Sequence, residues 1–178
     1  MNSKITFSLI TCLVALLLLP LVASAQNGSQ NQPACKYCGM DRNVYAHSRM
    51  LVTYEDGSST GTCSLHCLAV ELAINIDKTP KSIEVGDYKT KKMIDAEKAT
   101  WIVGGAKPGV MTKRGKWAFE NKADADAFMK ESGGNIATFD QAIKAAYEDM
   151  YSDTKMIREK RKLKRMMKKP MAPMEHHN

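Results

Sequence analysis

The residues best equipped for chemistry lie in one short stretch, Cys35-Lys36-Tyr37-Cys38-Gly39-Met40, which puts two thiols and a thioether within six positions. Such soft sulfur donors favour Cu(I), Zn(II) or iron–sulfur clusters over hard cations. Two further thiols, Cys63 and Cys67, are four positions apart with His66 beside them. On the opening turn of a helix that spacing stacks both on one face. Cys38 and Met40, two apart, would share a face of an extended segment. One thiol pair in a loop ahead of a hairpin and a second at the helix after it make a treble-clef-like layout, suited to a closed tetrahedral S4 or S3N site. Metal binding by Cys35, Cys38, Cys63 and Cys67 is the leading expectation. Disulfides and redox chemistry at Cys35 and Cys38 stay open beside it. A Cys35–Cys38 bridge, however, closes too small a loop to stabilise much. A redox Cys-x-x-Cys wants a helix N-terminus to lower the thiol pKa, whereas here Gly39-Met40 and then a hairpin follow.

The elements that must position these sulfurs can be read from periodicity and turn chemistry. Val44 to Tyr54 is a β-rich run, Asp56-Gly57 signals a hairpin turn, and Thr60 to Cys63 returns as a second strand. Leu65, Leu68, Leu72 and Ile76 fall at helical spacing, so Ser64 to Ile76 reads as a helix, with a break at Pro80. A second unit repeats the order. Ile83 to Ile94 is a strand broken at Gly86-Asp87, and Thr100 to Val103 and Lys116 to Phe119 are short strands. A helix capped by Asn121 then runs to Ser132 with Ala123, Ala127 and Phe128 inward, stopped by Gly133-Gly134, and Asn135 to Ala137 forms an edge strand. Thr138 and Gln141 resemble a capping box opening a last helix, with Phe139, Ile143, Ala146, Tyr147 and Met150 on its apolar face. His47 reads as a half-buried or surface side chain, and Met156 as a packing residue.

The two ends differ from the middle. Met1 to Lys4, the apolar stretch Leu9 to Val22 and Ala23-Ser24-Ala25 read as an export signal over residues 1–25. The apolar run is short for a membrane anchor and contains Pro20. Thr11 makes a poor lipid-attachment context for Cys12. Residues 26–33 are a polar, flexible leader. The formal net charge of +7 is concentrated late, since Arg158 to Lys169 holds eight Lys or Arg in twelve positions. We divide the rest into a metal-binding domain over 34–140, a C-terminal helix over 141–165 and a Met/His/Lys-rich tail over 166–178. The basic segment offers a contact for a membrane surface or an acidic partner. With no aromatic residues interleaved it is not built for nucleic acid.

Together, Tyr37-Cys38-Gly39-Met40, a hairpin ending in Cys63-Ser64, the loop Gly109-Val110-Met111, and Phe119 ahead of Ala123-Asp-Ala-Asp-Ala-Phe128 with a trailing Gly133-Gly134 resemble the NosL family. These are exported copper-binding accessory proteins of nitrous oxide reductase assembly. Small YHS and TRASH-type modules share the Cys-Gly-Met string, and the ordered set is what points to NosL. The resemblance implies an α+β fold of two small ββαβ-type units, similar to part of the organomercurial lyase, followed here by a long C-terminal helix. It also implies one Cu(I) ion held by Cys38, Met40 and Met111, a set that Zn(II) would bind poorly. Cys35, Cys67 and His66 are additions to that minimal set, closer to the TRASH-type arrangement of four sulfurs, and could bind a second metal, enlarge the copper site or close a disulfide that leaves Cys38 free. The function so implied is a periplasmic Cu(I) metallochaperone, not an enzyme, delivering to a copper-receiving protein or transporter assembly. A thiol-disulfide oxidoreductase using Cys35 and Cys38, or a Zn-stabilised interaction module, are the alternatives.

Overall fold

The computed structural model describes residues 32–168, so the expected signal, most of the leader and the end of the tail lie outside it. Two antiparallel hairpin-helix-strand units make up the body. In the first, β1 (Met50–Tyr54) pairs with β2 (Ser59–Thr62), α1 (Leu65–Ile74) follows, and β3 (Pro80–Gly86) returns beside β1. A short β4 (Met93–Asp95) extends this sheet to the order β2-β1-β3-β4. In the second, β5 (Thr100–Val103) pairs with β6 (Lys116–Phe119), α2 (Lys122–Ser132) follows, and β7 (Asn135–Ala137) returns beside β5, giving β6-β5-β7. Both units therefore lay the returning strand on the free edge of their first strand, as two ββαβ motifs should. The last helix, α3 (Phe139–Lys168), starts two residues before the expected span and runs three beyond it.

Local chemistry explains most of these elements. Gly57 takes a left-handed φ of 80°, and Asp56 Oδ1 accepts the Ser58 N–H at 2.8 Å, which closes the β1–β2 turn that Asp-Gly announces. Thr138 and Gln141 exchange reciprocal bonds of 2.9 and 3.3 Å and open α3 as a capping box. Asn121 does stand at the N-cap of α2, but its side chain makes no capping bond. Ala125 and Phe128 are the buried residues of that helix, rather than Ala123 and Ala127.

The sequence expectation of a strand from Val44 is corrected by the fold, because residues 41–48 turn repeatedly and β1 begins at Met50. Asp41 is the cause. Its Oδ1 accepts the N–H of Asn43 at 2.7 Å and of Val44 at 3.4 Å, giving the backbone a local partner in place of a sheet ladder. The turned segment presses on β3 at Gly86, where a Cβ would sit 1.9 Å from the Ala46 carbonyl oxygen. Only glycine admits that approach.

Two apolar clusters fill the interior, and β5 serves both. Trp101 belongs to a cluster with Met50, Val52, Tyr54, Leu68 and Phe139, while its neighbour Ile102 belongs to one with Trp117, Phe119, Phe128 and three cysteines. Alternation along a strand with covered faces produces this split. Asp87 ties the units together. Its Oδ2 accepts from Thr90 N–H at 2.6 Å, and its Oδ1 accepts from Glu120 N–H at 2.9 Å just past β6. Among the described residues no helix is long and apolar enough to cross a membrane.

Candidate metal centre

The Cys35–Met40 stretch folds back on itself. The Cys35 N–H donates to the Met40 carbonyl at 2.8 Å and the Gly39 N–H to the Cys35 carbonyl at 2.9 Å, with Gly39 at φ +73°. This tight knuckle aims backbone N–H groups at sulfur, that of Cys38 toward the Cys35 thiol and that of Met40 toward the Cys38 thiol. Because Gly39 is left-handed, the segment is not extended. The period-two argument that put Cys38 and Met40 on one face does not apply.

Cys63 sits between β2 and α1, directly before the N-cap residue Ser64, and Cys67 lies in the first turn of α1. The hairpin carries this pair back to the knuckle. All four sulfurs of Cys35, Cys38, Cys63 and Cys67 lie within 4.8 Å of one another. Cys38 and Cys63 are 3.4 Å apart and Cys63 and Cys67 are 3.7 Å apart, and all four are free thiols. Cys35, Cys63 and Cys67 are no more than 3% exposed, while Cys38 is half-buried. His66 is not among the converging groups. It is buried on the other side of α1, with Nδ1 3.4 Å from Asp153 Oδ2 of α3.

Four converging thiols cannot all be ionised without a cation. Cys35 is held far below the ordinary thiol range by bonds from the thiols of Cys38, Cys63 and Cys67. Cys63 and Cys67 are pushed up, first by their bonds to Cys35 and Cys38, with burial in the same direction. Thiols gathered in this way give up protons when they take up a metal. Arg42, itself buried, donates to the carbonyls of Gln32, Met50 and Thr62 and brings its charge beside Cys35 and Cys63.

Met40 and Met111 pack at the edge of the same cluster. Both line two surface cavities. One of about 490 Å³ is shared with Tyr45, His47, Tyr88 and Trp117, and the other, of about 240 Å³, with Met156, Ile157 and Lys160 of α3. Met111 stands at φ +63°, a conformation that costs a non-glycine residue about 1 kcal/mol or more. Strain of that size at a loop tip is kept only where the surroundings fix it. Here they do, through Arg114 Nε to Asp149 at 2.8 Å and Lys113 N–H to Asp153 at 3.3 Å.

Sequence reasoning missed three residues of this region. Glu71 is buried on α1 one turn beyond Cys67. It accepts bonds from Tyr37 Oη, from Tyr54 Oη at 3.0 Å, from Lys36 Nζ at 3.2 Å and from Asn75 Nδ2 at 2.9 Å. Lys36 and Tyr37 are the two spacers of Cys-x-x-Cys, so one carboxylate orients the knuckle against the helix. A signal existed in the sequence, since Glu71 follows Cys67 by four positions between Leu68 and Leu72 on an apolar helix face. His47 lies 5.6 Å from Trp117 and 5.8 Å from Tyr88, ring centre to ring centre, on the wall it shares with Met40 and Met111. Burial, with Lys91 and Lys107 nearby, holds its pKa below the usual value, leaving a neutral imidazole. Met156 carried no signal, because nothing in the chain says that α3 passes over the Met111 loop.

These features describe an α+β protein with a buried tetrathiol group and a thioether-lined rim. The sequence profile of NosL matches residues 28–147, and the chain belongs to the NosL family. Among solved structures it is similar to the copper chaperone NosL from Shewanella denitrificans, at 24% identity over 60% of this chain and 87% of that one, with a TM-score of 0.48. No curated protein matches it significantly.

Proposed function

We propose that the protein is an exported, periplasmic Cu(I) metallochaperone that takes up copper at the Met40–Met111 rim and passes it by ligand exchange to a copper-receiving protein or transporter assembly. The observation that carries this reading is the pairing of Met40 with Met111. The two are far apart in the chain, yet they line the same two open cavities and pack, with Cys38, on the edge of one apolar cluster; Cys38 is the one thiol of the four that is not buried. Cys38, Met40 and Met111 then hold the ion. A thiolate with two thioethers suits Cu(I). A carrier must let the recipient's ligands reach its cargo, which an open rim allows. The basic end of α3 is the natural contact for an acidic recipient or anionic lipid. The dithiol-reductase alternative loses support because Cys35, at 3% exposure, is closed to a substrate disulfide, and no helix follows Cys35-x-x-Cys38.

Anaerobic Cu(I) titration of the reduced protein against a chromogenic chelator tests the proposal. Cys38→Ser and Met111→Leu should each weaken Cu(I) binding by tenfold or more, about 1.4 kcal/mol. Leucine keeps the volume of methionine, so Met111→Leu should change stability by less than about 1.5 kcal/mol. Unchanged Cu(I) affinity in either variant would sink the reading.

A further inference from the structure

A cargo site must be reachable, and three of the four thiols are not. Cys35, Cys63 and Cys67 are buried beneath Ile102, Trp117, Phe119 and Phe128, so no incoming ligand can approach them without opening the fold. Their geometry answers to a different ion. Zn–S bonds of about 2.3 Å in a tetrahedron put sulfurs about 3.8 Å apart. The closest pairs here are 3.4 and 3.7 Å, and all four lie within 4.8 Å. We infer that Cys35, Cys38, Cys63 and Cys67 form a resident tetrathiolate Zn(II) centre, distinct from the thioether rim at which cargo is exchanged.

Several independent features fit this assignment. The ligands come in two pairs, one from a knuckle whose backbone N–H groups point at the sulfurs and one from the start of a helix, and Glu71 fixes the knuckle's two spacers to that helix. Such outer partners orient metal ligands and are costly to remove. Zinc with four thiolates carries net negative charge, and Arg42 lies beside two of them. A single Cu(I) ion, which favours low coordination, would leave a buried thiolate without a partner. Residues 32–49 also contain no regular strand or helix, so a four-ligand ion would bind this stretch to α1 at little cost in chain length. Copper at Met40 and Met111 would then share Cys38 with zinc as a bridging thiolate. That division of labour rests on the copper reading, whereas the zinc centre does not.

The test uses the reduced full chain under anaerobic conditions, titrated with Zn(II) and with Co(II) as its coloured stand-in. One ion should bind per chain, and the Co(II) complex should show the charge-transfer intensity of four thiolates. Cys35→Ser, Cys63→Ser and Cys67→Ser should each weaken binding by more than the ~10–100-fold that losing an outer partner costs. Met40→Leu and Met111→Leu should bind Zn(II) as the parent does. Should a cysteine variant fail to fold, alkylation of the parent keeps the proposal testable. Zn(II) should shield Cys38 from alkylation in the native protein and raise the denaturant needed to alkylate Cys35, Cys63 and Cys67, and a chelator should reverse both. Binding by fewer than four thiolates, no stoichiometric Zn(II) uptake, or release of one Zn(II) for each Cu(I) added would overturn it. Failure of the copper reading shows up separately, as Cu(I) affinity untouched by Met111→Leu while zinc binding stays intact.

Discussion

At the scale of single residues, the four thiols differ more by environment than by kind. Cys38 stands at about 7, its bond to Cys35 raising it and those with Cys63 and Cys67 prevailing in the other direction. It is also the thiol that solvent reaches. In the reduced, metal-free protein it should therefore be the first cysteine alkylated by iodoacetamide. Its rate should rise about tenfold between about pH 6 and pH 8 as the thiolate forms, with peptide mapping as the readout. Cys67, buried and held protonated, should react only on unfolding. Glu71 is the other decisive residue. Glu71→Ala strands two tyrosine hydroxyls and an ammonium group, and should cost about 2–3 kcal/mol in urea unfolding. It should also loosen the knuckle enough to weaken metal binding.

At the scale of elements, α3 is a clamp as well as a packing helix. Asp149 accepts from Lys116 Nζ at 2.7 Å and Arg114 Nε at 2.8 Å, and Glu148 accepts from Arg114 Nη2 at 3.0 Å. Asp153 faces both His66 of α1 and the Lys113 N–H. The Lys116 side chain is 2% exposed, and burial lowers its pKa against the pull of Asp149. Asp149→Ala should cost about 2–3 kcal/mol, because it leaves that ammonium buried without its carboxylate while Asp149 itself keeps some solvent. The position of Met111 should loosen with it. His66 gives the same interface a pH dependence. Burial holds its pKa below the ordinary value, with Asp153 opposing. An unfolded-chain histidine titrates near about 6.5. Below that pH the unfolded chain binds a proton that the folded chain resists, so stability is full above about pH 6.5 and is lost as pH falls through it. His47, shifted the same way, adds to the slope. Urea midpoints at about pH 5.5 and pH 7.5 should show it, and His66→Gln should flatten it.

For the whole molecule, the two units are alike in strand order but unequal in use. The first, with the knuckle that precedes it, supplies all four thiols and Met40, and the second supplies Met111 and the aromatic floor of Trp117, Phe119 and Phe128. Local signals of turn and cap chemistry were legible, and the Asp56-Gly57 hairpin and the Thr138–Gln141 box stand where they were read. Two other expectations failed for stated causes. The residues of the Val44 run favour β structure, but Asp41 supplies nearer hydrogen-bond partners. Helical spacing alone puts Ala123 and Ala127 inward with Phe128, and the helix instead buries the face carrying Ala125 and Phe128.

What the sequence determined by itself was the donor chemistry and the family. Residue type sets softness, and the order of Cys-Gly-Met, hairpin, cysteine pair and Gly-x-Met loop is a property of the chain. It also set the unit architecture, because turn and cap residues act within a few positions. Only the tertiary structure decided how the sulfurs divide. Spacing offers both a four-thiol set and Cys38 with Met40 on one face, and the left-handed Gly39 and the return of the hairpin gather all four thiols and leave the thioethers at the rim. It likewise brought Glu71, His47 and Met156 to the site, since their approach depends on how helices cross and loops fold over them, which no local pattern encodes.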